Sequence, residues 1–144
     1  MIDPGRDALE RFLLQVDPGS IYVSRDAIDE AWRRRGQFNV VLLDSGWKVD
    51  LTLRKHRVFS EQEFARRQPA EIAGVRVFVA TAEDTIIATL EWARAGESER
   101  QIRDVVGVLQ MREGELDLGY IERWIEELGL ADLWERAKRE AGRS

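Results

Sequence analysis

Apolar positions recur at helical spacing near the start of the chain. Leu9, Phe12, Leu13 and Val16 share one face of a segment that begins at Arg6, and Asp17-Pro18-Gly19-Ser20 stops it with a turn. Ahead of it, Met1-Ile2 before Asp3-Pro4-Gly5 reads as the last apolar residues of a strand entering a turn. Ile21-Tyr22-Val23 predicts a short strand. Ser24 then caps a helix through Arg35 with Ala27, Ile28, Ala31 and Trp32 inward, and Gly36 ends it. The clearest strand signal is residues 38–43, turned through Asp44-Ser45-Gly46 into residues 47–53 as an antiparallel hairpin. In its second arm Trp47, Val49, Leu51 and Leu53 alternate with Lys48, Asp50 and Thr52. A period of two predicts one buried face and sets Asp50 mid-strand on the other, toward a surface or cleft.

Ser60 with Glu63 three residues on forms a capping box for a short helix ending near Arg67. A second hairpin joins residues 71–72 to 75–79 through Ala73-Gly74, the glycine supplying the positive φ of a tight turn. From Thr81 the pattern is helical. Thr81 and Asp84 start a helix that carries Ile86, Ile87, Leu90 and Trp92 and closes at Gly96. Residues 99–111 follow with Ile102, Val105, Val106 and Leu109 on one face, then 118–128 and 130–141, separated by Gly129. The expected class is α/β (α+β): a small mixed or antiparallel sheet with flanking helices over residues 1–80. A C-terminal helical bundle over 81–144 packs on it to make one compact unit.

The length of 144 residues is enough to bury one ordinary core. No apolar run reaches the roughly 18 residues of a membrane span, and no basic-then-apolar leader opens the chain, so a cytoplasmic location is expected. With no Cys and one His, thiolate and multi-histidine metal sites are excluded, and any metal would need carboxylates. The net charge of -5 weighs against a general nucleic-acid coat. Charge is unevenly spread, however. Residues 25–67 hold ten Lys/Arg against seven Asp/Glu, and residues 81–144 hold nine against fifteen, so an anionic ligand fits the first stretch better.

There is no glycine-rich phosphate loop, no Gly-x-Ser-x-Gly elbow and no cluster of His ligands. Asp50 interrupts an apolar-rich strand. It is either an exposed strand position or a carboxylate facing a cation or partner. Arg103-Asp104 sits beside the apolar stripe of its helix, as an ion pair across a helix–sheet junction or as an exposed pair. His56 lies in a basic turn, its protonation disfavoured by Arg54, Lys55 and Arg57. Arg33-Arg34-Arg35 reads as cations at the negative pole of a helix or as a phosphate contact. Trp92, Trp124 and Trp134 read as core or helix–helix contacts rather than a stacking platform.

The order of Phe38-Asn39-Val40-Val41, Gly46-Trp47-Lys48-Val49-Asp50-Leu51, Phe64-Ala65-Arg66-Arg67, Ala82-Glu83-Asp84, Leu90-Glu91-Trp92, Ser98-Glu99-Arg100-Gln101 and Arg103-Asp104 resembles a family of bacterial nucleotidyltransferase-like proteins. That family belongs to the DNA polymerase β-type superfamily, near the abortive-infection toxin group of the AbiEii type. The resemblance covers nearly the whole chain. It implies a site in which a Gly-Ser helix start and an Asp-x-Asp strand precede a third carboxylate, to which Asp50 corresponds. Two divalent cations held there would bridge nucleotide phosphates and activate the attacking hydroxyl.

The Gly-Ser start and the Asp-x-Asp pair are absent, and residues 1–4 match the position just after that strand, so residues 1–80 are expected to be this core without its first helix and strand. Thr89 stands where a lysine is expected, and Asp3 is no substitute carboxylate. The resemblance therefore implies Asp50 as catalytic residue and metal ligand of an incomplete site, with Lys48, Arg103 and Asp104 toward nucleotide phosphates and Mg2+ held weakly. The protein is expected to be inactive alone, and an exposed edge or apolar patch predicts a homodimer. Two rivals are an active transferase completed by upstream sequence or another chain, and a toxin–antitoxin-type interaction module whose acidic helices dock a basic partner.

Overall fold

A computed structural model of the chain describes residues 1–96 and 99–142. Contacts divide it into two units, Met1–Ala65 and Arg66–Ser144. The architecture is mixed α+β: two small antiparallel sheets, then a run of helices. The division falls after Ala65 rather than near residue 80, with the second hairpin, a sheet of its own, on the side of the helices. No helix among the described residues is long and apolar enough to cross a membrane.

In the first unit α1 (Arg6–Gln15), β1 (Ile21–Val23), α2 (Arg25–Arg34), β2 (Gln37–Leu42), β3 (Lys48–Thr52) and α3 (Val58–Ala65) follow in order, and the sheet runs β1-β2-β3. Register sets Val23, Val40 and Val49 side by side on one face, and Asn39 beside Asp50 on the other. The first face is the core. Leu9 of α1 and Ile28 and Ala31 of α2 close over Phe38, Val40 and Leu53. Arg6 bridges the two helices, bonding Glu10 at 2.9 Å and Asp29 at 2.6 Å, and the Asp29 hydrogen bond chiefly raises its pKa. Ser24 caps α2 by accepting from the Ala27 amide.

α2 ends with Arg35, not Gly36, in the left-handed region (φ 50°), where its guanidinium lies 4.5 Å over the Trp32 ring. α3 begins at Val58, so Ser60 is no cap: it is buried inside the helix and accepts from Arg57 Nε.

The second unit opens with β4 (Gln68–Ile72) and β5 (Val75–Val79), then α4 (Ala82–Gly96), α5 (Glu99–Met111), α6 (Leu118–Glu127) and α7 (Ala131–Glu140). Both turn residues of the hairpin, Ala73 and Gly74, have positive φ, the backbone twist that suits a two-residue hairpin loop. α4 packs against α5, α6 and α7, and its Ile86, Ile87 and Leu90 are buried as are Ile102, Leu109, Ile121, Trp124 and Trp134. Trp92 is 51% exposed, contrary to its expected inward place, because it lies off the stripe that Ile86, Leu90 and Ala93 bury. Ser98, part of the resemblance, lies outside the described residues.

Candidate functional site

Asp50 stands on the sheet face opposite the helices, exposed, as the alternation predicts. It accepts a hydrogen bond from Asn39 Nδ2 on β2, and Lys48 Nζ lies 3.8 Å from its Oδ1. These contacts follow from the fold: Asn39 is its cross-strand partner, and Lys48 is two residues back on the same face. Lys48 and Asp50 are thus brought together. Their apolar neighbours are not covered as the alternation suggests. Trp47 is 73% and Val49 44% exposed, because β3 is the edge strand and the helices reach only Leu51 and Leu53.

The N-terminus touches this strand. Ile2 forms a parallel bridge with Leu53, its amide donating to Thr52 O and its carbonyl accepting from the Arg54 amide, both at 2.9 Å. Asp3 accepts from Arg54 Nε at 2.8 Å, lies 2.7 Å from its Nη2, and pairs with Arg35 at 3.4 Å. That hydrogen bond is the main cause raising the Arg54 pKa. Asp3 is a structural anchor, and Ile2 makes an isolated bridge beside β3 rather than the end of a strand.

As a metal site this arrangement is too small. Asp50 and the Asn39 amide offer two kinds of oxygen donor, whereas Mg2+ takes six ligands in near-ideal octahedral geometry, and the Lys48 ammonium already faces the carboxylate. No group of three or more His, Cys, Asp or Glu able to hold a metal occurs among the described residues. The residues present do not fit a resident magnesium ion.

The arginines are largely committed. Arg33 and Arg34 pair with Glu30, and Arg54 reaches Glu61 at 3.5 Å besides Asp3. His56 is exposed. Arg103 and Asp104 lie exposed on α5, within the second unit.

A cluster that sequence reasoning saw only as a cap lies in the second unit. Asp84, 0% exposed, accepts from Thr81 Oγ1 at 2.7 Å, Arg66 Nε at 3.0 Å and the Tyr120 hydroxyl at 2.6 Å, and the Asp84 amide donates back to Thr81. Arg66 also lies 4.0 Å over the Tyr120 ring. Burial first, and then the Asp84 carboxylate, push the Tyr120 phenol well above its ordinary range. Thr81-x-x-Asp84 was the one signal in the chain, while nothing local marked Arg66 or Tyr120. With every group partnered the cluster is a scaffold that joins the segment ahead of β4 to α4 and α6, not a reactive centre.

Comparison with protein-family models, curated proteins and solved structures finds no match.

Proposed function

We propose that the chain is a nucleotidyltransferase-fold protein that carries one carboxylate, Asp50, of a metal site and does not catalyse alone. The observation that carries this reading is Asp50 itself: exposed mid-strand, beside Lys48, and in no group of three or more metal-ligating side chains among the described residues. Lys48 suits a phosphate, and nucleotide affinity is weak for want of the remaining metal ligands. The test is nucleoside triphosphate binding with and without Mg2+, beside pyrophosphate release. The expected result is no turnover, and any magnesium-dependent binding lost in Asp50→Ala. Pyrophosphate release by the chain alone would overturn inactivity, and binding indifferent to Asp50→Ala would remove the site.

A second reading, a transferase completed by upstream sequence or another chain, is supported by Ile2. A strand continued back from its bridge would carry every second side chain on the Asp50 face. Co-expression of the chain with its upstream coding region, assayed for magnesium-dependent nucleotidyl transfer, separates the two readings.

The second hairpin supports self-association as a homodimer. Phe78 is 67% exposed on one face of the hairpin and the paired Ile72 and Val75 are exposed on the other, and a lone two-stranded sheet is marginal in water. Sedimentation across a concentration series should show a dimer that Phe78→Lys disperses. A folded monomer at high concentration sinks this.

A further inference from the structure

The edge of β3 that faces away from β2 holds a ladder that has been started and not continued. Trp47 O accepts from Leu42 and the Leu53 amide donates to Gly36, so odd-numbered residues here turn their backbone groups toward β2. Thr52 O and the Arg54 amide turn to the opposite edge, where both bond Ile2. By the two-residue repeat of a strand, the amides and carbonyls of Lys48 and Asp50 and the amide of Thr52 point to that same edge. No other backbone hydrogen bond reaches it among the described residues.

Ile2 also sets direction and register. It runs parallel to β3 and lies opposite Leu53. The residues of any strand in line before it fall in turn opposite Leu51, Asp50, Val49, Lys48 and Trp47, once Met1 has taken the place beside Thr52. Those opposite Leu51, Val49 and Trp47 would share the helix-bearing face, where Trp47 and Val49 are exposed. Those opposite Asp50 and Lys48 would share the other, polar face, whose two charges offset each other and so repel no incoming strand.

We propose that this edge accepts a strand in trans: an extended peptide parallel to β3 whose last residue lies opposite Leu51, with apolar residues against Leu51, Val49 and Trp47 and polar residues beside Asp50 and Lys48. Main-chain hydrogen bonds to Asp50, Lys48 and Thr52 supply the affinity, and the apolar side chains covering Trp47 and Val49 supply the selectivity, as in strand addition to other sheet edges. The inference concerns backbone pairing and stands apart from the nucleotidyltransferase reading. It therefore survives if no metal or nucleotide binds, and falls by measurements that involve neither.

The test titrates the full chain with the synthetic peptide acetyl-Lys-Val-Thr-Val-Thr-Val-amide, while amide exchange is followed by NMR and tryptophan emission is recorded. The same Val-Thr-Val-Thr-Val is also placed directly ahead of Met1, which removes weak affinity as a reason for failure. The expected result in both formats is slowed exchange at the Asp50 and Thr52 amides and a blue shift that Trp47→Phe abolishes. Proline in place of the first and second valines back from Met1 removes the amides that donate to Asp50 O and Lys48 O, and both effects should vanish. Unchanged exchange at Asp50 and Thr52 in the extended chain overturns the proposal. So does concentration-dependent protection of these two amides in the chain alone, which would assign the edge to a second copy.

Discussion

Asp84 shows what one buried charge demands. Its two oxygens are satisfied by a guanidinium, a threonine hydroxyl and a phenol, so removing the carboxylate leaves the buried Thr81 and Tyr120 hydroxyls without it. Asp84→Ala should destabilise the second unit by about 3 kcal/mol, read by urea unfolding followed through Trp124 and Trp134. Tyr120 is the spectroscopic witness. In a Tyr22→Phe background, the tyrosinate absorbance of Tyr120 should stay absent until the chain unfolds in alkali. A phenol whose pKa is raised by folding contributes stability that is whole below its unfolded pKa of about 10 and is lost as pH rises through the folded value. Tyrosinate forming at pH 10 in a folded chain would contradict this. The pairing of Lys48 with Asp50 was legible beforehand because residues two apart on a strand share a face. Arg66 and Tyr120 were not, since a contact across 18 or 36 residues leaves no local pattern.

Elements were more legible than their margins. Periods of 3.6 and 2 located the helices and both hairpins, since these follow from which side chains must be inside. The ends shifted where a tertiary partner outweighed a local preference. Arg35 holds a conformation that favours glycine while stacking on Trp32 and pairing with Asp3, and Ser60 is drawn inside α3. Alternation told which face of β3 is apolar, yet it could not tell how far the covering helices extend, and so Trp47 and Val49 were expected inside. One helix position is open to improvement. Gly107 lies within α5, and a Cβ there would meet nothing within 4 Å. Gly107→Ala should raise stability by about 0.5–1 kcal/mol, measured as a higher urea midpoint at unchanged slope. A lower midpoint would mean that the glycine serves close packing.

At the scale of the whole molecule, the asymmetry of charge along the chain gives way to local neutralisation. The basic stretch spends its arginines on Glu30, Asp3 and Glu61, and the acidic stretch spends Glu99 and Glu140 on Arg136. Arg136 holds the Glu99 carboxyl below its ordinary value, and the Ser20 hydroxyl and Gly19 amide do the same for Asp17. Such groups contribute stability above their unfolded pKa values, about 4.5 and 3.8, that is lost as pH falls through the lower folded values. The melting temperature should therefore drop progressively below about pH 4.5. Arg136→Gln should shallow that drop, checked by calorimetry from pH 7 to pH 3, and an equally steep drop in the variant would exonerate Glu99.

The bridge from Ile2 to Leu53 and the clasp of Asp3 by Arg54 also bear on how the chain is made. During synthesis Ile2 and Asp3 leave the ribosome before their partners, which lie some fifty residues later in the chain. The first unit closes this long loop only once β3 and Arg54 have emerged. Until then Ile2 and Asp3 are open to capture by whatever else is at hand.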